Sequence, residues 1–128
     1  MRAVMEGVAY SLSDCYDILK EMGVTVDEMM ACGGGGKSPV WRQMLADMFE
    51  CEVKTLTSEE GPALGVAILA GVGAGIFKDV VSACDEFIKN RNKLQSNKRE
   101  SEYYKQGHAL YKKVYAQLKG CYQDLAKL

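Results

Sequence analysis

The stretch "ACGGGGKSPVW", residues Ala31–Trp41, places four consecutive glycines before Lys-Ser, and a proline and a tryptophan follow. A short apolar run, Glu28–Cys32, leads into the glycines and is consistent with a buried strand. After the glycines, Ser38 can cap a helix whose first residue is Pro39. The stretch therefore predicts a strand, a glycine-rich turn and a helix N-terminus in succession, a geometry that favours phosphate.

Three interpretations of the glycine turn are open from the local sequence. The spacing Ala31-x4-Gly36-Lys37-Ser38 satisfies the looser form of the P-loop pattern. However, no run of four apolar residues ends in the aspartate that helps to hold magnesium in a P-loop enzyme, and the predicted strands are too few for that fold. The other two interpretations are a different nucleotide-binding turn and a glycine-rich bend without a ligand.

Length, composition and cysteine spacing exclude several classes of protein. The 128 residues are about one domain, 48% hydrophobic and 26% charged, and a formal net charge of -1 does not indicate a polyanion-binding protein. Met1-Arg2 leads directly into an amphipathic pattern, and the longest uncharged stretch, Pro62–Phe77, is shorter than the roughly 20 apolar residues of a membrane span. Five widely spaced cysteines without a CxxC pair predict reduced thiols. We therefore expect a cytoplasmic protein with no metal site of its own.

The pattern along the chain is α/β with two strands. Apolar residues at spacings of four and three predict a helix over Arg2–Met22, ended by Gly23. Cys51–Leu56 predicts the second strand. The segment "ALGVAILAGVGAG", Ala63–Gly75, carries no charge on any face and predicts a helix buried all round, and Asp79–Ile88 predicts a shorter amphipathic helix. Two strands do not make a stable independent sheet, so the chain looks like part of a domain.

The last third of the chain is charged and then helical. Lys89–Glu102 predicts a solvated connector and not a nucleic-acid surface, because Glu100 and Glu102 adjoin its basic residues and no aromatic residue is interleaved. The final helix is predicted from about Ser101 to Leu125, with tyrosines along one seam. His108, the only histidine, is expected to be a helix surface or core residue.

A family resemblance supports the interpretation of this stretch as a nucleotide-binding turn that is not a P-loop. The stretch "GGGGKSPVWRQMLADMFECEV", followed by "TSEEGPALGVAILAGVGAG", strongly resembles the C-terminal end of the FGGY carbohydrate kinases, xylulokinases most closely. Upstream, "RAVMEGVAY", Arg2–Tyr10, resembles the end of the family's second signature. The resemblance implies an actin-like ATPase (ribonuclease H-like) fold. Residues 1–128 would form the C-terminal part of its second, nucleotide-side domain, helix-rich with a partial sheet and with a helical extension from about residue 89.

The resemblance also implies which residues contact the nucleotide. Carried over residue by residue, the glycine turn that packs against the nucleotide consists of Gly33, Gly34, Gly35 and Gly36. Ser38 falls on a position that can contact the adenosine end. Gly36 stands where relatives usually have alanine, a departure expected to add flexibility without abolishing binding. Lys37 is then expected to be a surface residue and not the phosphate lysine of a P-loop.

The implied reaction is ATP-dependent phosphorylation of a sugar hydroxyl, with Mg²⁺: D-xylulose and ATP would give D-xylulose 5-phosphate and ADP in the full-length enzyme. No Asp-x-Gly-Thr phosphate loop occurs here, and the family's catalytic Asp lies upstream of the matching blocks. We therefore predict no catalytic residue and no kinase activity of the chain alone. Glu59 and Glu60 are expected at a helix N-terminus, and Asp14, Asp17 and Asp47 on solvated helix faces.

Other functions remain open at this stage. The full-length enzyme could act on another sugar or polyol. The chain could instead be a nucleotide-binding regulatory piece that needs a partner chain, or a helical interaction module. Expected partners are ATP or ADP, and a sugar bound through the other domain, with no nucleic acid and no membrane. Self-association is also expected, because a partial sheet leaves one edge and one face uncovered.

Overall fold

The computed structural model describes residues 1–57 and 61–128. The elements in chain order are α1 Arg2–Glu21, β1 Glu28–Met30, α2 Gly33–Gly36, α3 Pro39–Phe49, β2 Glu52–Leu56, α4 Gly61–Gly73, α5 Val80–Phe87, β3 Asn90–Leu94 and α6 Lys98–Leu125. The predicted α/β class, helix-rich with a partial sheet, is confirmed. The predicted cap that includes Glu59 and Glu60 lies outside the described residues.

The sheet has the strand order β1-β2-β3. Strand β1 runs parallel to β2, with Met29 opposite Val53, and β3 runs antiparallel to β2, with Leu94 opposite Val53. The prediction that Lys89–Glu102 is only a solvated connector is wrong, because this segment contains β3 and the first turn of α6. Residues 90–93 are all exposed, so the edge strand has no apolar alternation that sequence analysis could detect.

Strand β1 is less buried than its apolar sequence predicts. Met29 is half-buried and Met30 is 40% exposed. The strand occupies an edge of the sheet, so within the described residues β2 is its one hydrogen-bonded neighbour. The predicted strand is confirmed, but its predicted burial is wrong for this chain.

Helix α1 ends where the sequence predicts. Gly23 has φ +81°, in the left-handed region that glycine enters without steric cost. Its N–H donates to the Lys20 carbonyl at 2.9 Å, and the N–H of Val24 donates to the Leu19 carbonyl at 3.0 Å. These two bonds form a Schellman motif, which satisfies carbonyls that the helix end would otherwise leave unpaired.

The core lies where α1, α3 and α6 meet β2. Its buried residues are Ala9, Met44, Leu45, Ala46, Phe49, Cys51, Val53 and Tyr104. On α3, Met44 and Leu45 are buried, and Trp41 and Met48 pack against the core. The Phe49 ring meets Tyr16 of α1 edge to face, with ring centroids 5.2 Å apart. This core fixes α3, and with it the glycine turn that precedes α3.

Helix α4 is not buried all round, contrary to the prediction. Ile68 and Gly71 are its buried residues, whereas Val66 is 68% and Leu69 is 61% exposed. Helix α5 and the Phe77 ring cover one side of α4. The uncharged sequence therefore predicts burial on every side of α4, whereas the described residues cover one side. Among the described helices, none combines the length and the apolar character needed to cross a membrane.

Candidate functional site

A cleft of about 620 Å³ lies beside the carboxyl ends of β1 and β2. Because these two strands are parallel, both ends meet at the same edge of the sheet, the position where open α/β sheets bind ligands. The glycine turn, the end of β2, the start of α4 and β3 contribute the walls. The lining residues are Ala31, Cys32, Gly33, Gly34, Gly36, Lys37, Arg42, Thr55, Leu56, Gly61, Pro62, Arg91 and Asn92.

The glycine turn is a single helical turn, and its glycines have different surroundings. Gly33 has φ +70°, which favours glycine, and apart from the neighbouring residues and the backbone of the turn itself, no described atom lies within 4 Å of where a Cβ would stand on Gly33 or Gly34. Gly36 is buried, and a Cβ there would lie 2.6 Å from the Ala31 carbonyl oxygen. A Cβ on Gly35 would instead lie 3.3 Å from the Trp41 ring. Three predicted glycines therefore line the cleft, and Gly35 faces the following helix.

Ser38 performs the predicted cap. It has an extended backbone, and its Oγ accepts the N–H of Trp41 at 3.3 Å, with Pro39 as the first helical residue. Ser38 is not among the residues that line the cleft. Its hydroxyl proton can still be donated while the oxygen accepts, so the adenosine contact stays a prediction. Lys37 is exposed, as predicted, and also lines the cleft.

A polar cluster that was not predicted from the sequence also lines the cleft and is formed by Arg42, Thr55 and Asn92. Thr55 is 8% exposed, and its Oγ1 accepts from Asn92 Nδ2 at 3.3 Å and from Arg42 Nη1 at 3.5 Å. The Arg42 Nε is buried and has no acceptor among the described residues. The position of Arg42 directly after Trp41 of the quoted motif was an available signal. The sequence gives no such signal for Asn92, because the exposed strand β3 has no apolar pattern.

The charged side chains in the described lining of the cleft are all basic. Lys37, Arg42 and Arg91 line it, and among its described lining residues there is no carboxylate. Two acidic side chains of the sheet are paired with another lysine: Lys54 forms an ion pair with Glu28 and lies 3.2 Å from Glu52 Oε1. The hydrogen bond from Lys54 lowers the pKa of Glu28, and the bonds to Glu28 and Glu52 raise the pKa of Lys54. These carboxylates therefore do not neutralise the arginines of the cleft.

A second titratable cluster joins α1 to α6. Ligand atoms of Asp14, Asp17 and His108 lie within 4.8 Å of one another, a spacing that could hold a cation. Lysine ammonium groups already occupy this space: Lys112 Nζ lies 2.8 Å from Asp17 Oδ2, and Lys20 Nζ lies 2.7 Å from Asp17 Oδ1. Hydrogen bonds from Lys112 and Lys20 lower the pKa of Asp17 to about 2. The cluster is therefore a structural joint between two helices.

Two of the aspartates predicted on solvated helix faces, Asp14 and Asp47, are less exposed than predicted and have polar partners. Asp14 is partly covered, and its Oδ1 lies 2.8 Å from His108 Nε2. Asp47 is 4% exposed, so its predicted exposure is wrong. Its Oδ1 accepts from the Asn97 N–H at 2.7 Å and from Gln43 Nε2 at 2.9 Å, which ties α3 to the start of α6. A buried carboxylate with two donors is a packing element that periodicity alone does not reveal.

Comparison with known proteins identifies the family. Residues 1–74 match the C-terminal domain of the FGGY family of carbohydrate kinases. Xylulose kinase of Staphylococcus epidermidis is 40% identical over 124 residues, covering 97% of this chain and 25% of that protein. Xylulose kinase of Bacillus subtilis is 35% identical over 119 residues, covering 93% and 24%. Autoinducer-2 kinase of Klebsiella pneumoniae is 32% identical over 116 residues, covering 90% and 22%.

Solved structures agree with this assignment. Ligand-bound xylulose kinase from Lactobacillus acidophilus superposes with a TM-score of 0.87 at 25% identity, covering 97% of this chain and 25% of that one. Gluconate kinase from the same organism gives a TM-score of 0.85 at 25% identity, with the same coverage. The chain spans about a quarter of the length of the relatives it matches. The resemblance is confirmed and replaces the P-loop interpretation: this chain belongs to the FGGY family of carbohydrate kinases, which are phosphotransferases, and it is xylulose kinase-like.

Proposed function

We propose that this chain forms one wall of the nucleotide site of an ATP-dependent sugar kinase. In the whole protein the reaction would transfer a phosphoryl group from ATP to D-xylulose, giving D-xylulose 5-phosphate and ADP. The match to xylulose kinases of two organisms supports the sugar, although autoinducer-2 kinase and gluconate kinase also match. Residues 1–128 would be the C-terminal part of the second, nucleotide-side domain, with α6 as its helical extension.

The observation that carries this proposal is the position of the glycine turn in the cleft. Gly33 and Gly34 leave open space where side chains would stand, so a ligand can approach the backbone N–H groups directly. The turn lies at the carboxyl ends of two parallel strands, where backbone donors and the absence of side chains suit a nucleotide. In this proposal Gly33–Gly36 and Ser38 contact the adenosine end.

The described residues of the cleft fit a nucleotide but not its metal ion. Mg²⁺ takes oxygen ligands, usually one or two carboxylates and the substrate phosphates, and the described lining contains no carboxylate. We therefore assign no magnesium ligand and no general base to the described lining of the cleft. The role proposed for the chain is to position the nucleotide, which is a main component of phosphoryl-transfer catalysis.

Titration of the ¹⁵N-labelled chain with ADP tests this proposal. We expect amide shifts confined to Gly33–Gly36, Ser38 and the start of α4 at Gly61–Gly65. A Gly34→Val variant should lose these shifts, because its side chain would fill the open space beside the turn. The matched control is Gly120→Val on α6, which is also unobstructed by other described atoms but lies outside the cleft. A folded wild-type chain without shifts at millimolar ADP would overturn the proposal and favour a helical interaction module.

Activity assays separate the remaining alternatives. The isolated chain should form no ADP from ATP when D-xylulose is added, and sugar-dependent turnover would contradict the absence of a catalytic residue. A regulatory nucleotide-binding module would bind ADP and remain inactive within any longer chain. For the whole protein, kcat/KM should be higher for D-xylulose than for gluconate, and the reverse order would reassign the sugar.

A further inference from the structure

We propose that Arg42 is a nucleotide-binding residue whose guanidinium group donates hydrogen bonds to a phosphate of a nucleoside diphosphate in the cleft. This inference rests on the proposed function and adds a specific contact to it. Arg42 lies in the first turns of α3, directly behind the glycine turn, and lines the same cleft as Gly33, Gly34 and Gly36. The contacts proposed for the glycine turn do not require this residue, so its role is tested separately.

The first argument is the poor hydrogen bonding of the Arg42 guanidinium group among the described residues. Its Nη1 reaches Thr55 Oγ1 at 3.5 Å, which is long for a hydrogen bond, and its Nε is buried without an acceptor among the described residues. A buried donor on a charged group is costly when it is unpaired. A small displacement of the side chain toward an anion in the cleft would supply the acceptors that its present position lacks.

The second argument is the charge of the cleft. Arg91 lines the cleft from β3, and among the described lining residues no carboxylate is present to pair with either arginine. The edge of a guanidinium formed by Nε and Nη2 forms bidentate pairs with phosphate, whereas adenine and ribose carry no charge. The Thr55 hydroxyl oxygen accepts from both Arg42 Nη1 and Asn92 Nδ2. A phosphate is therefore the ligand group that this wall suits best.

The test measures ADP, adenosine and pyrophosphate binding to the chain by NMR, with the Arg42 Nε–Hε signal as the local reporter. We expect ADP to shift this signal and to bind more tightly than adenosine. Arg42→Gln should weaken ADP binding by about 10- to 100-fold, the usual effect of a hydrogen bond to a charged group, and leave adenosine binding unchanged. Arg99→Gln is the matched control, because Arg99 is exposed on α6 and lies outside the cleft.

The outcomes distinguish this inference from the proposed function. If wild type and Arg42→Gln bind ADP equally, or if the variant loses ADP and adenosine affinity alike, the phosphate role of Arg42 is overturned and the nucleotide site stands. If the wild type binds pyrophosphate through Arg42 but not ADP, the anion contact stands and the nucleotide proposal fails. If the wild type binds neither ligand, both fail. Should Arg42→Gln not fold, Arg42→Lys retains the charge without the planar fork, and it should lose ADP affinity but less than Gln would.

Discussion

Two parts of this chain bury apolar residues to very different extents. Where α1, α3 and α6 meet β2, Ala9, Ala46 and Val53 are at most 1% exposed. Along α4, which is more apolar in sequence than any of those helices, Val66 is 68% and Leu69 is 61% exposed. We call the first part the packed core and α4 the open helix.

This difference in burial shows that the hydrophobicity of a helix predicts how much cover the helix needs, and not how much of that cover its own chain supplies. Helix α3 is amphipathic, so it needs to bury only one apolar face, and this chain supplies the core against which that face packs. The open helix has no polar face, so it needs cover on every side, and α5 supplies one side. Because the relatives are about four times as long as this chain, we propose that the rest of the second domain covers the open helix in the whole protein.

The largest contrast should appear when a leucine is truncated in each part. Leu45→Ala in the packed core, where Leu45 is 6% exposed, should lower the free energy of unfolding by about 2–5 kcal/mol through lost burial and a residual cavity. Leu69→Ala on the open helix removes the same atoms from a side chain that is 61% exposed, and should change it by less than about 0.5 kcal/mol. Urea denaturation followed by circular dichroism measures both.

This pair also tests the proposed cover of the open helix. In the whole protein, Leu69→Ala should become destabilising, because its side chain would then be buried. Equal and small effects of Leu69→Ala in the isolated chain and in the whole protein would contradict the proposal that the domain covers α4.

A smaller contrast is expected within α6, which is packed near its start and exposed near its end. A Cβ on Gly107 would lie 2.0 Å from the Tyr10 hydroxyl oxygen, whereas a Cβ on Gly120 meets no described atom within 4 Å. Gly107→Ala should destabilise the chain by up to about 2 kcal/mol, since overpacking against α1 costs about 1–3 kcal/mol and helix propensity returns up to about 1 kcal/mol. Gly120→Ala should gain about 0.5–1 kcal/mol of helix propensity.

Thermal and urea unfolding of both glycine variants check this prediction, with helicity at 222 nm as a second readout. The two substitutions are chemically identical, so effects of the same sign would show that contact with Tyr10 does not decide the outcome. Such a result would remove the distinction between the packed and exposed halves of α6.

Local signals in the sequence predicted the elements that local chemistry determines. Gly23 ends α1, Ser38 and Pro39 begin α3, and the glycine turn lies between β1 and α3, as the sequence predicts. Strand β3 could not be predicted, because its exposed residues pair with β2 through backbone groups that leave no side-chain pattern. The contact of Thr55 with Asn92 joins residues 37 apart, so the polar wall around Arg42 emerges only when β3 is in place.

The smallest expected effect is the pH dependence of stability that comes from two ion-paired carboxylates, Asp17 between α1 and α6 and Asp124 at the exposed end of α6. Hydrogen bonds from Lys112, and then from Lys20, lower the pKa of Asp17 in the joint between α1 and α6 to about 2, from its usual 3.8. A carboxyl group whose pKa is lower in the folded state contributes stability above the unfolded pKa, and this contribution is lost as the pH falls through the folded pKa. The contribution of Asp17 should therefore decline between about pH 5 and pH 2.

Unfolding by urea from pH 5 to pH 2 measures this decline, which should be at most about 1 kcal/mol for Asp17 because its side chain is partly solvated. Asp17→Asn should flatten the pH dependence by that amount, and Lys112→Met should raise the pKa of Asp17 measured by carboxyl NMR. Asp124→Asn is the control, because the Asp124–Lys127 pair at 3.0 Å is about three-quarters exposed at the free end of α6. If Asp124→Asn flattens the curve as much as Asp17→Asn, solvent screens both pairs alike, and the ion pairs of Asp17 do not add measurably to the ring contacts, such as that of Tyr10 with Tyr104, that hold α1 against α6.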